Sequence, residues 1–297
     1  MAAAEPGGPV TAARALLEVR GLTKRYLGLT AVDDVAFEVE AGAVVGLIGP
    51  NGSGKSTIVD CLSGFQPADE GRWLLDGREL TGLPGHRIAR AGLTRTFQTV
   101  RAYDELTLLD NLRVSAQESD GVGWLQALGR GSRLRAAEAA SAARGRDLLA
   151  TVGLAEYAAA PAAVLSYGQR KLLAIAAAMM ARPKLVVLDE PVAGVNPTMI
   201  RRIEQVIHQL NAEGVTLVIV EHNVDFIMSL CRRVIVVEAG EKIADGPPSL
   251  IRSDPRVLAA YLGQRRAAEL GQRPILPLPR GGEGRVRGPG APSSNAN

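Results

Sequence analysis

The sequence predicts an α/β fold in which a parallel sheet is covered by helices, and three observations carry that prediction. Apolar runs of strand length recur at residues 44–48, 185–188, 216–220 and 234–237, as expected of strands buried on both faces. Helical stretches such as 199–211 separate the later runs, and such alternation builds a parallel sheet with helices packed on it. The first run feeds a glycine-rich turn and then a helix from Ser56, the order in which open α/β sheets assemble a ligand site.

Taken in order, residues 1–14 are rich in Ala and Gly and predict a frayed start. Residues 16–19 and 31–39 read as short strands. Residues 99–182 read mostly as helix, a helical insert in the α/β core, and its Ala/Arg-rich piece at 132–150 predicts a solvated surface. The stretch after Gly263 is rich in Pro, Gly and Arg and lacks the apolar surface to fold. The folded unit is therefore expected at 15–263, with a disordered tail at 264–297. No repeat of 20–50 residues is present.

Composition narrows the function classes. Of 297 residues, 46% are hydrophobic and 22% charged, which supplies ample material for a core. Aromatics are 4%, few rings for stacking bases. The formal charge of +3 is uneven: residues 264–297 contribute +4 and the remainder sums to −1. A nearly neutral body lacks the concentrated basic face of a nucleic-acid binder, so no nucleic-acid partner is expected. Cys61 and Cys231 stand in apolar surroundings without metal-ligand spacing and read as buried, reduced thiols. The first residues lack the charged and apolar regions of a signal peptide. The longest uncharged apolar run, 172–181, falls short of the ~18 residues that cross a bilayer, so any membrane role is expected to go through a partner.

The chemistry-bearing motif is Gly49-Pro50-Asn51-Gly52-Ser53-Gly54-Lys55-Ser56, followed by Thr57, which satisfies G-x-x-x-x-G-K-[ST] between a strand and a helix. Glycines let successive amides curl around phosphate oxygens, the helix N-terminus adds partial positive charge, and Lys55 reaches the β and γ phosphates. Ser56 can ligate Mg²⁺. A second element corroborates the first: residues 185–188 lead to Asp189 at the ligand-binding edge of a parallel strand, placed to hold the Mg²⁺ shell. Glu190 follows, where a carboxylate can orient the water attacking a γ phosphate.

A third element, Leu165-Ser166-Tyr167-Gly168-Gln169, precedes a long apolar helix and lies shortly before the strand ending at Asp189. It resembles the signature motif of ABC-type ATP-binding cassettes, and the folded unit resembles that family in the order and spacing of its motifs. The resemblance implies an ABC-type P-loop ATPase core with a parallel sheet, an N-terminal antiparallel β portion and an inserted helical subdomain. It also implies ATP and Mg²⁺ as ligands. Gln98 in Thr96-Phe97-Gln98 resembles the glutamine that senses Mg²⁺ and water, His222 the switch histidine, and Tyr26 the aromatic that stacks on adenine, although Tyr26 also reads as an ordinary strand-edge residue. Ser166 and Gly168 would face the partner's γ phosphate. Tyr167 stands where the usual signature has Gly, and Asn196 where an Asp often appears.

Arg95-Thr-Phe-Gln98-Thr-Val-Arg101, the Leu-Ser-Tyr-Gly-Gln segment, Val192-Ala-Gly-Val-Asn-Pro197 and the closing segment 245–263 together resemble branched-chain amino acid importers, and the 115–160 insert resembles the longer of their two ATPase subunits. The implied partners are a second ABC ATPase subunit in a heterodimer, two transmembrane permease subunits and, indirectly, a substrate-binding protein. The implied location is peripheral, on the cytoplasmic face of the cell membrane. Sister importers for urea or short amides and lipid exporters share this cassette and remain open, as does a non-transport ABC ATPase. Val100, Tyr103 and Leu106 would floor a groove for a permease helix, or else pack the insert's own core.

Overall fold

The side-chain alternation of the strands divides the chain between two hydrophobic cores. A computed structural model describes residues 15–96, 102–116 and 131–261, with side chains in the last span from residue 135. The expected frayed start, the tail, Gln98, Val100 and Arg101 lie outside the described residues.

The main sheet has the order β10-β9-β3-β8-β7-β6. Its strands are β3 (Val44–Ile48), β6 (Leu93–Arg95), β7 (Leu185–Asp189), β8 (Thr216–Val220), β9 (Arg233–Glu238) and β10 (Glu241–Gly246). All neighbours are parallel except β10, which closes one edge antiparallel to β9. Every residue of β3, β7 and β8 is buried, because both faces are covered. Period-two geometry sends Val186, Leu188, Leu217, Ile219, Val234 and Val236 into one core, and Leu185, Val187, Val218, Val220, Ile235 and Val237 into the other.

The second core is roofed by an antiparallel sheet of order β2-β1-β4-β5, comprising β1 (Ala15–Tyr26), β2 (Leu29–Glu40), β4 (Glu70–Leu75) and β5 (Arg78–Glu79). The expected short strands at 16–19 and 31–39 are the interiors of a longer hairpin. Polar residues such as Asp33 and Asp34 do not end β2, because their exposed side alternates with buried Val32, Val35, Phe37 and Val39. Against this core lie α1 (Lys55–Leu62) and α2 (Gly85–Ala91).

Helices α3 (Leu108–Ser115), α4 (Gly131–Val152) and α5 (Tyr167–Met179) come between β6 and β7. Then follow α6 (Pro197–Ala212), α7 (Val224–Leu230) and α8 (Pro248–Ser253). The expectation that the Ala/Arg-rich piece is simply solvated needs correction. Leu148, Leu149 and Val152 of α4 are buried, and Arg144 donates to the carbonyl oxygens of Met179 and Met180 at the end of α5. A helix that seals a core needs only a narrow apolar stripe. Packing of α7 on the sheet is close enough that a Cβ at Gly46 in β3 would meet Ile227 Cγ2 at 2.6 Å. Cys61 and Cys231 are free and buried, as expected. Among the described residues, no helix is long and apolar enough to cross a membrane.

Candidate nucleotide site

Three adjacent strands, β3, β8 and β7, end on one edge of the main sheet. Their C-terminal ends carry Gly49–Ser56, Glu221–His222 and Asp189–Glu190, the edge at which such sheets bind ligands. The sequence signals are spread along the chain from Gly49 to His222; the strand order brings them together.

The phosphate loop is tightly built. A Cβ at Gly49 would lie 2.0 Å from the Val237 carbonyl oxygen, and one at Gly54 would lie 2.5 Å from that of Ala31. Gly54 caps α1 at φ 103°, a conformation open to glycine. Ser53 and Lys55 are buried, whereas Asn51, Gly52 and Ser56 are exposed, Gly54 and Thr57 are half-buried, and Pro50 is buried behind the loop. Lys55 Nζ curls back to donate to the carbonyls of Gly49 and Pro50, both at 2.8 Å. Burial pushes its pKa below the ordinary lysine value, opposed by the charges of Glu190 and Asp189. An ammonium in that position is ready to exchange carbonyl contacts for phosphate oxygens.

Asp189 is buried at the end of β7. Its amide donates to Thr96 Oγ1 at 3.1 Å, and its Oδ2 accepts from Arg95 at 2.7 Å. Glu190 takes a left-handed φ of 48°, a conformation uncommon outside glycine. It is held from two sides: its amide donates to the Val220 carbonyl at 2.8 Å, and its carbonyl accepts from Lys171 Nζ at 2.9 Å. Its side chain is 22% exposed, and Oε1 lies 3.7 Å from His222 Nδ1. The carboxylate therefore faces the open edge beside the imidazole.

Glu221, which sequence reasoning passed over, is fully buried. Its Oε1 accepts from the Val192 amide at 3.0 Å, and its Oε2 from the amides of His222 and Asn223 at 3.0 and 3.2 Å. One carboxylate thus ties the chain after β8 to the turn after Glu190. The signal was present as an acid at the end of an apolar strand, next to His222. Tyr261 was also missed. Its hydroxyl is buried without a hydrogen bond of normal geometry, although the Gly49 amide is turned toward it. Burial, partly opposed by that amide, pushes its pKa up to about 12.

The signature-like segment forms the start of α5. Ser166 caps the helix, accepting from the Gln169 amide, while the Gln169 side chain accepts from the Ser166 amide, a reciprocal capping box. Ser166 and Tyr167 are exposed, Leu165 and Gly168 buried, and Gln169 half-buried. A Cβ at Gly168 would strike Met199 Cγ at 2.6 Å. Lys171 Nζ lies 5.6 Å from the Tyr167 ring centroid, so one buried lysine touches both the signature-like segment and the backbone of Glu190. Asn196 caps α6 by accepting from the Met199 amide at 2.9 Å, a role that an amide fills as well as a carboxylate.

Tyr26 ends β1, 39% exposed, with Lys24 Nζ 5.3 Å from its ring centroid. Tyr103 is 59% exposed and Leu106 36%, so neither packs the insert's core. The buried Asn111 side chain pins their segment, accepting from the Tyr103 amide and donating to the carbonyls of Tyr103, Leu106 and Thr107.

A parallel sheet delivering a phosphate loop, an Asp-Glu pair and a histidine to one edge, with a helical insert presenting a second glycine-containing motif, defines an ATP-binding cassette. The ABC transporter family model matches residues 32–193, and the chain belongs to that family. Within it, residues 241–267 match the model of the branched-chain amino acid ATP-binding cassette transporter. The chain is 42% identical over 252 residues to the high-affinity branched-chain amino acid transport ATP-binding protein BraF of Pseudomonas aeruginosa, covering 84% of this chain and 99% of that protein. It is 39% identical over 250 residues to LivG of Escherichia coli, covering 84% and 98%. Among solved structures it resembles a nucleotide-free cassette from an ABC transporter at TM-score 0.74 and 32% identity, and the ADP conformation of a cassette at TM-score 0.73 and 32% identity; each match covers 84% of this chain and 99% of the other.

Proposed function

We propose that this chain is the ATP-hydrolysing subunit of an importer for branched-chain or related hydrophobic amino acids. The observation that carries the reading is its likeness, over nearly their whole length, to ATP-binding proteins of branched-chain amino acid transport. The closing segment, residues 241–267, supports the same substrate class.

In this reading the phosphate loop from Gly49 to Thr57 binds the ATP phosphates, with Tyr26 at the adenine. Lys55 leaves its two carbonyl partners to neutralise charge developing on the β and γ phosphates. The oxygens of Ser56 and Asp189 are hard donors that suit Mg²⁺, with Gln98 as a further ligand; when bound, the ion supplies charge stabilisation to the phosphates. Glu190 orients the attacking water and His222 holds the γ phosphate. Each site is completed across a dimer by the signature segment Leu165–Gln169 of a second cassette, presented at the exposed start of α5. The cassette proper spans 15–263, with the helical insert at about 99–182, and docks peripherally on two permease subunits at the cytoplasmic membrane face. Exposed Tyr103 and Leu106 belong to the docking surface.

The test is reconstitution of the chain with its permease subunits, partner ATPase and binding protein in proteoliposomes. Leucine, isoleucine or valine should stimulate ATP hydrolysis and accumulate inside. Stimulation by urea or a lipid, with none by these amino acids, would overturn the substrate assignment.

A further inference from the structure

Arg95, the last residue of β6, spans two structural elements. Its guanidinium forks between Asp60 on α1 at 2.5 Å and Asp189 at the end of β7 at 2.7 Å, and reaches Ser63 Oγ at 3.3 Å. The Arg95 side chain is 9% exposed and that of Asp189 6%. The main chain repeats the link: the Thr96 amide donates to the Val187 carbonyl at 2.9 Å, and Thr96 Oγ1 accepts from the Asp189 amide. Two consecutive residues therefore fix both the backbone and the carboxylate of Asp189. The Phe65 ring, 5.7 Å from the guanidinium carbon, covers the arginine.

A buried ion pair gains little stability over apolar packing, because desolvation offsets its attraction. What a planar fork does supply is direction. Held at Oδ2 by Arg95, the Asp189 carboxylate cannot rotate freely, and a carboxylate so held can offer its second oxygen to another ligand. Asp60, on the helix that begins with Lys55 and Ser56, sets the arginine against the same helix that carries the phosphate-binding residues. We propose that Arg95 is a positioning residue of the metal site: it fixes Asp189 with one carboxylate oxygen directed at the ion, and Asp60 in turn fixes Arg95. The proposal rests on the reading of Asp189 as the Mg²⁺ carboxylate.

The experiment measures binding of a non-hydrolysable ATP analogue to the full chain in EDTA and across a Mg²⁺ titration, with Mn²⁺ binding followed by electron paramagnetic resonance. Arg95→Gln should bind the analogue in EDTA as the unaltered chain does, yet need roughly tenfold more metal for half-saturation, as loss of an outer partner of a metal ligand typically does. Arg95→Lys, a single point charge, should fall between them. Asp60→Asn, which leaves Asp189 and Arg95 in place, should shift the metal midpoint in the same direction by a smaller factor, and it carries the test if Arg95→Gln does not fold. Folded variants with an unchanged metal midpoint, or with a lower one as expected if Arg95 only competes with the ion, would overturn the proposal. An unaltered chain whose analogue binding ignores Mg²⁺ would instead overturn the reading of Asp189.

Discussion

Replacing Glu221 by Gln keeps the shape of the side chain and inverts half of its hydrogen bonding. The native carboxylate accepts three backbone amides, one on Oε1 and two on Oε2, from a fully buried position. An amide can place its oxygen toward His222 and Asn223, but its NH₂ then meets the Val192 N–H, donor against donor. The opposite orientation leaves two amides unsatisfied. A hydrogen bond to a charged group contributes about 1.5–3 kcal/mol and an orphaned buried donor costs about 1–3 kcal/mol, so Glu221→Gln should lose roughly 2–4 kcal/mol. At about 2–4 °C per kcal/mol for a domain of this size, the melting temperature should fall by roughly 4–16 °C. Hydrolysis should fall with it, since the freed amides belong to His222 and to the turn after Glu190. The assay is thermal and urea unfolding beside steady-state ATPase kinetics, with Glu190→Gln as the control. Glu190 is partly exposed and its side chain lies 3.7 Å from His222, so that control should lose activity without losing stability. A Glu221→Gln protein as stable as the unaltered chain would show that these three amides do not depend on the carboxylate.

Two further predictions concern titrating groups. Lys55→Ala should lower Mg²⁺-dependent hydrolysis by roughly 10²-fold or more, the usual cost of removing such a charge contact; in the unaltered chain, because burial lowers the Lys55 pKa, nucleotide affinity should weaken as pH rises through a range below that of an ordinary lysine, a shift that binding titrations from pH 7 to 10 would register. Burial raises the thiols of Cys61 and Cys231 to about 11 and about 12, so both should resist alkylation at pH 8 in the native protein and react on denaturation, and rapid native labelling counted by mass spectrometry would contradict their burial.

The phosphate loop, the Asp-Glu strand end and the central strands were legible because each is a local pattern: a continuous apolar run, then residues whose chemistry needs adjacency. The strand at 216–220 matches β8 residue for residue, since a strand buried on both faces begins and ends where its apolar run does. The hairpin of β1 and β2 was legible only in its interior, because a half-exposed strand tolerates polar residues. Strands β4 and β6 escaped notice: Glu70–Leu75 opens on three exposed polar or small residues, Glu70, Gly71 and Arg72, before its apolar half begins at Trp73, and Leu93–Arg95 has a single buried apolar residue. Arg95, Glu221 and Lys171 do their work through partners 94, 29 and 19 residues away, and no spacing rule connects them. Their roles follow from strand order, which composition does not reveal.

If Glu190 serves the chemistry and not the binding of ATP, as proposed, the two separate in a single variant. For Glu190→Gln, equilibrium MgATP binding by the full chain should match that of the unaltered chain, while single-turnover phosphate release should fall by roughly 10²-fold or more. Loss of ATP binding in proportion to the loss of phosphate release, or phosphate release at the unaltered rate, would contradict the account.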